Sequence, residues 1–106
     1  MKIALIQLAL TESMEENLQK ALNSMDEAAS QGAELVCFPE IQFSPFFPQY
    51  PSKDVSGYAI PIEHYIVKSL QAKCRSQNLV GFPNFYLQEG QQRYDASPVI
   101  DSDGSC

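Results

Sequence analysis

Short apolar runs and longer apolar stripes alternate along the first third of the chain. The runs Ile3–Leu8 and Leu35–Phe38 are typical of strands that are covered on both faces. Between them, Ser13 and Glu16 fit a capping box, and Gly32 suits the residue after a helix end. The segment between these signals carries apolar residues at spacings of three and four, which predicts a helix with one buried stripe: Met14, Leu18, Ala21, Leu22, Met25, Ala28 and Ala29.

A second helix is predicted to begin near Pro61, a residue that suits the first helical position. Asn78 is expected to end this helix in a left-handed conformation. His64, the only histidine, is expected at the surface. The predicted buried stripe consists of Ile62, Tyr65, Ile66, Leu70 and Cys74.

The remaining segment, 79–101, predicts a β-hairpin. Leu79–Leu87 forms its first strand, and Pro83 predicts a bulge or an irregularity within it. Gln88–Gln92 is the polar turn, and Tyr94–Asp101 is the second strand. The pattern therefore predicts one small α/β domain with the order β-α-β-α-β-β.

Composition excludes several classes of function. The 106 residues contain 7 Lys and Arg against 13 Asp and Glu, a net charge of -6, which disfavours nucleic acid as a partner. No stretch is long enough to cross a membrane, and the N-terminus suits a first strand better than a signal peptide, so we expect a cytoplasmic protein. Cys37, Cys74 and Cys106 form no CxxC pair and are interpreted as reduced thiols, without a metal or a cofactor. Cys74 is expected to be a small core residue rather than a reactive thiol.

Glu40 follows the second predicted strand directly after Phe38 and Pro39. Ligands of open α/β sheets bind at the carboxyl ends of the strands, so a carboxylate at this position is a candidate general base. A solvated glutamate at the start of a loop is the alternative.

Residues 41–60 hold prolines and aromatic residues in place of a periodic pattern. Prolines exclude a helix here, and aromatic rings need a surface on which to pack. The segment is either a stiff connection whose rings cap the core or a wall of a substrate pocket.

Several of these segments resemble the nitrilase or carbon–nitrogen hydrolase superfamily. The first strand KIALIQL, the block GAELVCFPE at 32–40, and the end of the predicted hairpin, VIDSDG at 99–104, are similar to that family in order and spacing. Tyr94-Asp95-Ala96-Ser97 departs from the family's common Tyr-Asn-Ser or Tyr-Asn-Thr. The resemblance covers essentially the whole chain but only the N-terminal part of the family's catalytic domain.

The resemblance implies a fold and a chemistry. The fold is an α-β-β-α sandwich, of which this chain supplies the first part. The chemistry is cleavage of amide, carbamoyl or nitrile carbon–nitrogen bonds of a small molecule by a Cys-Glu-Lys triad. Glu40 matches the family's general base, and the loop FSPFF at 43–47 would bring Phe46 and Phe47 to the substrate.

The other two members of the triad do not carry over. None of the three cysteines sits in the family's nucleophile motif, and the Arg-Lys motif would follow the Asp-x-Asp-Gly turn, where this chain ends. We therefore expect 1–106 to be a partial catalytic domain that is inactive alone and is part of a homo-oligomeric enzyme. The alternative is a non-enzymatic, self-associating α/β module that retains the first half of the fold.

Overall fold

The computed structural model describes residues 1–7, 13–38 and 60–106. These residues form five strands and two helices. In chain order they are β1 Ile3–Leu5, α1 Met14–Ser30, β2 Leu35–Cys37, α2 Tyr65–Gln77, β3 Val80–Phe82, β4 Phe85–Glu89 and β5 Gln92–Ala96.

Three strands form a parallel sheet in the order β1-β2-β3. Its central row, Ala4, Val36 and Gly81, lies on the face that contacts the core, and Val36 is fully buried. Both helices contribute to this core: α1 supplies Leu18 and Met25, and α2 supplies Ile66 and Leu70. Within the described residues, β4 and β5 pair antiparallel and form a second sheet.

Local signals placed the helix ends of α1 correctly. The Ser13 side chain accepts a hydrogen bond from the Glu16 N–H at 3.2 Å, which confirms Ser13 as the N-cap. Gly32 follows the C-cap with φ of +87°, a conformation that glycine adopts without a steric cost. The predicted stripe is confirmed, because each of its seven residues is buried or packs against the core. Asn17 is also buried, although no periodic signal predicted it.

The start of α2 differs from the prediction. Pro61 is not at the first helical position, because the chain makes a turn there in which the His64 N–H donates to the Pro61 carbonyl oxygen at 3.1 Å. His64 is the N-cap, and its Nδ1 accepts from the Ile66 N–H at 3.1 Å. Ile62 therefore lies outside the helix, and it is exposed.

The buried face of α2 also differs in part. It consists of Ile66, Val67, Leu70 and Cys74. Tyr65 was expected in this stripe, but it is exposed, and its hydroxyl donates to the Glu15 carboxylate on α1 at 2.7 Å. As predicted, Asn78 ends the helix in the left-handed conformation.

The prediction of one strand over Leu79–Leu87 was wrong, because β3 and β4 belong to different sheets. The break falls at the buried Pro83, which has no N–H to continue a ladder, and at Asn84. The predicted turn is confirmed in its position but is shorter than Gln88–Gln92: Glu89 pairs with Gln92, so only Gly90, at φ of +61°, and Gln91 lie between the strands. The observed order of elements is therefore β-α-β-α-β-β-β.

The predicted strand Tyr94–Asp101 is divided in the same way. The regular pairing of β5 ends at Ala96. Ile100 instead pairs with Gly81 of the first sheet, through two backbone hydrogen bonds of 2.8 and 2.9 Å. Ile100 is fully buried, so this return of the chain extends the core beside β3.

The face of the sheet opposite the core is open within the described residues. It carries two apolar rows, in which Ile3, Leu35 and Val80 form one and Leu5, Cys37 and Phe82 the other. The prediction that the run Ile3–Leu8 is covered on both faces was therefore wrong for its described part. Ile3 is 54% and Leu5 78% exposed, and β1 lies at the edge of the sheet that the described strands form.

Candidate functional site

The carboxyl ends of the three parallel strands lie side by side. The Ile6 N–H donates to the Cys37 carbonyl oxygen at 2.9 Å, which joins the end of β1 to that of β2. The Phe38 N–H donates to the Phe82 carbonyl oxygen at 3.3 Å, which joins the end of β2 to that of β3. This rim, defined by Ile6, Phe38 and Phe82, is the edge at which open parallel sheets bind ligands.

The three site residues predicted from the sequence lie outside the described residues. Glu40 follows Phe38 by two positions, and Phe46 and Phe47 belong to the segment 39–59. The structure fixes the point from which the chain continues toward Glu40, because Phe38 is anchored to β3 at the rim. The role of Glu40 and the substrate contacts of the two rings remain predictions.

A polar cluster follows the end of β3 at this rim. The Asn84 side-chain amide donates to Asp95 Oδ1 and to Ser97 Oγ, both at 2.7 Å. The cluster links the break after β3 to the end of β5, and so it fixes how the second sheet leaves the first. The sequence predicted an irregularity at Pro83 but not this cluster, although a proline followed by asparagine between two apolar runs indicates a strand break.

This cluster also shows what Asp95 does in the place where the family commonly has asparagine. Its carboxylate accepts a hydrogen bond from the Asn84 amide. An asparagine side chain could accept the same bond through its carbonyl oxygen, so the departure preserves the contact and adds a negative charge.

The described thiols differ in their environments. Cys74 is fully buried, and burial raises the pKa of its thiol to about 11. The thiolate is the reactive form of cysteine, so this residue is inert at neutral pH. Cys37 is half-buried on the open face beside Leu5 and Phe82, whereas Cys106 is exposed. The burial of Cys74 confirms the expectation that it is a small core residue.

The described residues offer no metal site, and one of their cavities reaches the rim at Ile6. Within ranges 1–7, 13–38 and 60–106, no three of the His, Cys, Asp and Glu side chains are grouped to hold a metal ion. A cavity of about 420 Å³ lies between Pro61–Glu63 and Leu87–Gly90, and one of about 310 Å³ lies between β1 and α1. Neither is lined by a residue of β2 or β3.

Neither α1 nor α2, the helices of the described part of the chain, combines the length and the apolar content that a membrane span requires.

Known proteins resemble this chain over nearly its whole length. A citrullinase of Francisella tularensis is 30% identical over 98% of the chain, and an omega-amidase of Mus musculus is 34% identical over 98%. The crystal structure of an amidase from Nesterenkonia sp. superposes with a TM-score of 0.75 and 26% identity over 99% of the chain. The chain spans about two-fifths of the length of these proteins: 37% of both enzymes and 40% of the amidase chain.

The family model described as carbon-nitrogen hydrolase matches residues 2–106. This match agrees with the parallel sheet, the two helices and the amidase superposition. The chain therefore belongs to the carbon–nitrogen hydrolase family.

Proposed function

We propose that this chain is part of an enzyme that hydrolyses non-peptide carbon–nitrogen bonds, with Glu40 as the general base. The observation that carries the proposal is the family match over 2–106, which includes the Phe-Pro-Glu sequence directly after β2. The rim geometry supports it, because β2 reaches the joined ends of the three strands immediately before this sequence.

The mechanism follows from the family's Cys-Glu-Lys triad. A cysteine attacks the carbonyl carbon and forms a thioester, while Glu40 takes the thiol proton and passes it to the leaving amine. Glu40 then activates the water that cleaves the thioester. A lysine stabilises the negative charge that develops on the substrate oxygen.

Residues outside 1–106 complete the triad. None of Cys37, Cys74 and Cys106 matches the family's nucleophile, and the burial of Cys74 gives an independent reason to exclude it. The difference in length from the relatives supports a partial domain that needs further sequence to act. We propose that 1–106 alone does not hydrolyse amides and that the complete enzyme is a homo-oligomer.

The names of the relatives support a proposal for the substrate class. Two of them are named citrullinase and omega-amidase, and the superposed structure is that of an amidase. These names favour an amide or carbamoyl substrate over a nitrile. We place Phe46 and Phe47 in the wall of its binding pocket, so alanine at either position should raise KM more than it lowers kcat.

A chimeric enzyme tests the role of Glu40. Residues 1–106 replace the matching segment of the Nesterenkonia amidase, and hydrolysis of a simple aliphatic amide is measured. The Glu40→Gln variant should lose at least about 100-fold in kcat, because general acid–base catalysis contributes about 10² to 10⁴. The matched control is Glu34→Gln, which removes the same charge from an exposed side chain just before β2 and should leave kcat unchanged.

A second measurement separates lost chemistry from lost folding. A glutamate-to-glutamine variant of the Nesterenkonia amidase shows the product of Michael addition of acrylamide at the active-site cysteine. The Glu40→Gln chimera should therefore still gain one acrylamide by mass spectrometry. An adduct together with undiminished hydrolysis would refute the role of Glu40. Hydrolysis by 1–106 alone that Glu40→Ala abolishes would instead refute the proposal that 1–106 is inactive alone.

The open apolar face favours one alternative, a self-associating module without enzymatic activity. This face consists of six residues on three short strands, of which only Ile3 and Leu5 are exposed, whereas a typical interface has about 20 to 30 residues on each side. A stable dimer buries about 800 Å² on each partner, so this face alone is too small. Light scattering of 1–106 should show no stable dimer, and a compact, concentration-independent dimer would favour the module instead.

A further inference from the structure

We draw no further inference here: the strongest candidate, the open apolar face of the three-stranded sheet formed by Ile3, Leu5, Leu35, Cys37, Val80 and Phe82, carries nothing because nothing in the structure shows what covers it.

Discussion

Gly81 of β3 packs directly against Cys74 of α2, and substitution by alanine tests that contact. A Cβ atom at this position would lie 2.9 Å from Cys74 Sγ and 3.8 Å from Val36 Cγ2. Gly81 does not have a positive φ, so the requirement for glycine is steric rather than conformational. Both neighbouring side chains are fully buried and have no solvent into which to move.

The expected cost of Gly81→Ala follows from this distance. Adding a methyl group to a packed core costs about 1–3 kcal/mol. Alanine offsets roughly 0.5–1 kcal/mol of this cost, because it has less conformational freedom than glycine in the unfolded chain. The net loss in the free energy of unfolding should be up to about 2.5 kcal/mol, and about 1 kcal/mol at the middle of these ranges. In the Cys74→Ala background the sulfur is gone and the new methyl fills part of the space, so the same substitution should be neutral or stabilising.

Urea unfolding followed by far-UV circular dichroism measures the four variants of this cycle. The coupling energy between the two sites should be at least about 1 kcal/mol. Cys106→Ala serves as the matched control, because it removes an exposed thiol and should change the midpoint little. An equal cost of Gly81→Ala in both backgrounds would show that the contact with Cys74 does not determine the choice of glycine.

Three further predictions concern the helices and the thiols. Asp26 accepts hydrogen bonds from Lys73 and Gln77, which hold the pKa of its carboxyl below the ordinary 3.8. The exposed Asp26–Lys73 pair should contribute about 0.5 kcal/mol to the free energy of unfolding above pH 4, and this contribution should disappear as acid protonates the Asp26 carboxylate of the folded protein. The difference in stability between the protein and Asp26→Asn should therefore shrink from pH 6 to pH 2.5, and a growing difference would contradict the pKa shift. His64→Ala should lower the free energy of unfolding by about 1 kcal/mol, whereas His64→Asn keeps a capping acceptor; equal melting temperatures for the two variants would contradict the cap. Because burial raises the pKa of the Cys74 thiol to about 11, iodoacetamide at pH 8 should alkylate Cys106 in the folded protein and Cys74 only in urea. Mass spectrometry identifies the alkylated residues, and rapid alkylation of Cys74 in the folded protein would refute its burial.

The sequence by itself determined the features that depend on neighbouring residues. Ser13 caps α1 through a residue three positions away, and Asn78 ends α2 by its own conformation. The stripe of α1 repeats at the helical period, so its buried face is visible without a structure. Membership of the family could also be predicted from the sequence, because the second strand and the Phe-Pro-Glu sequence that carry the resemblance are contiguous.

Only the tertiary structure decided which apolar residues are covered and where strands change sheets. The apolar runs of β1 and β2 predict strands but do not say whether one face or two are packed, since that depends on distant elements. The requirement for glycine at 81 comes from Cys74, on a different element. Two polar contacts also join residues that are distant in the sequence: Asn84 contacts Asp95, 11 residues away, and Asp26 contacts Lys73, 47 residues away. Such pairs leave no periodic signal, because their partners meet only when the sheet and the helices pack.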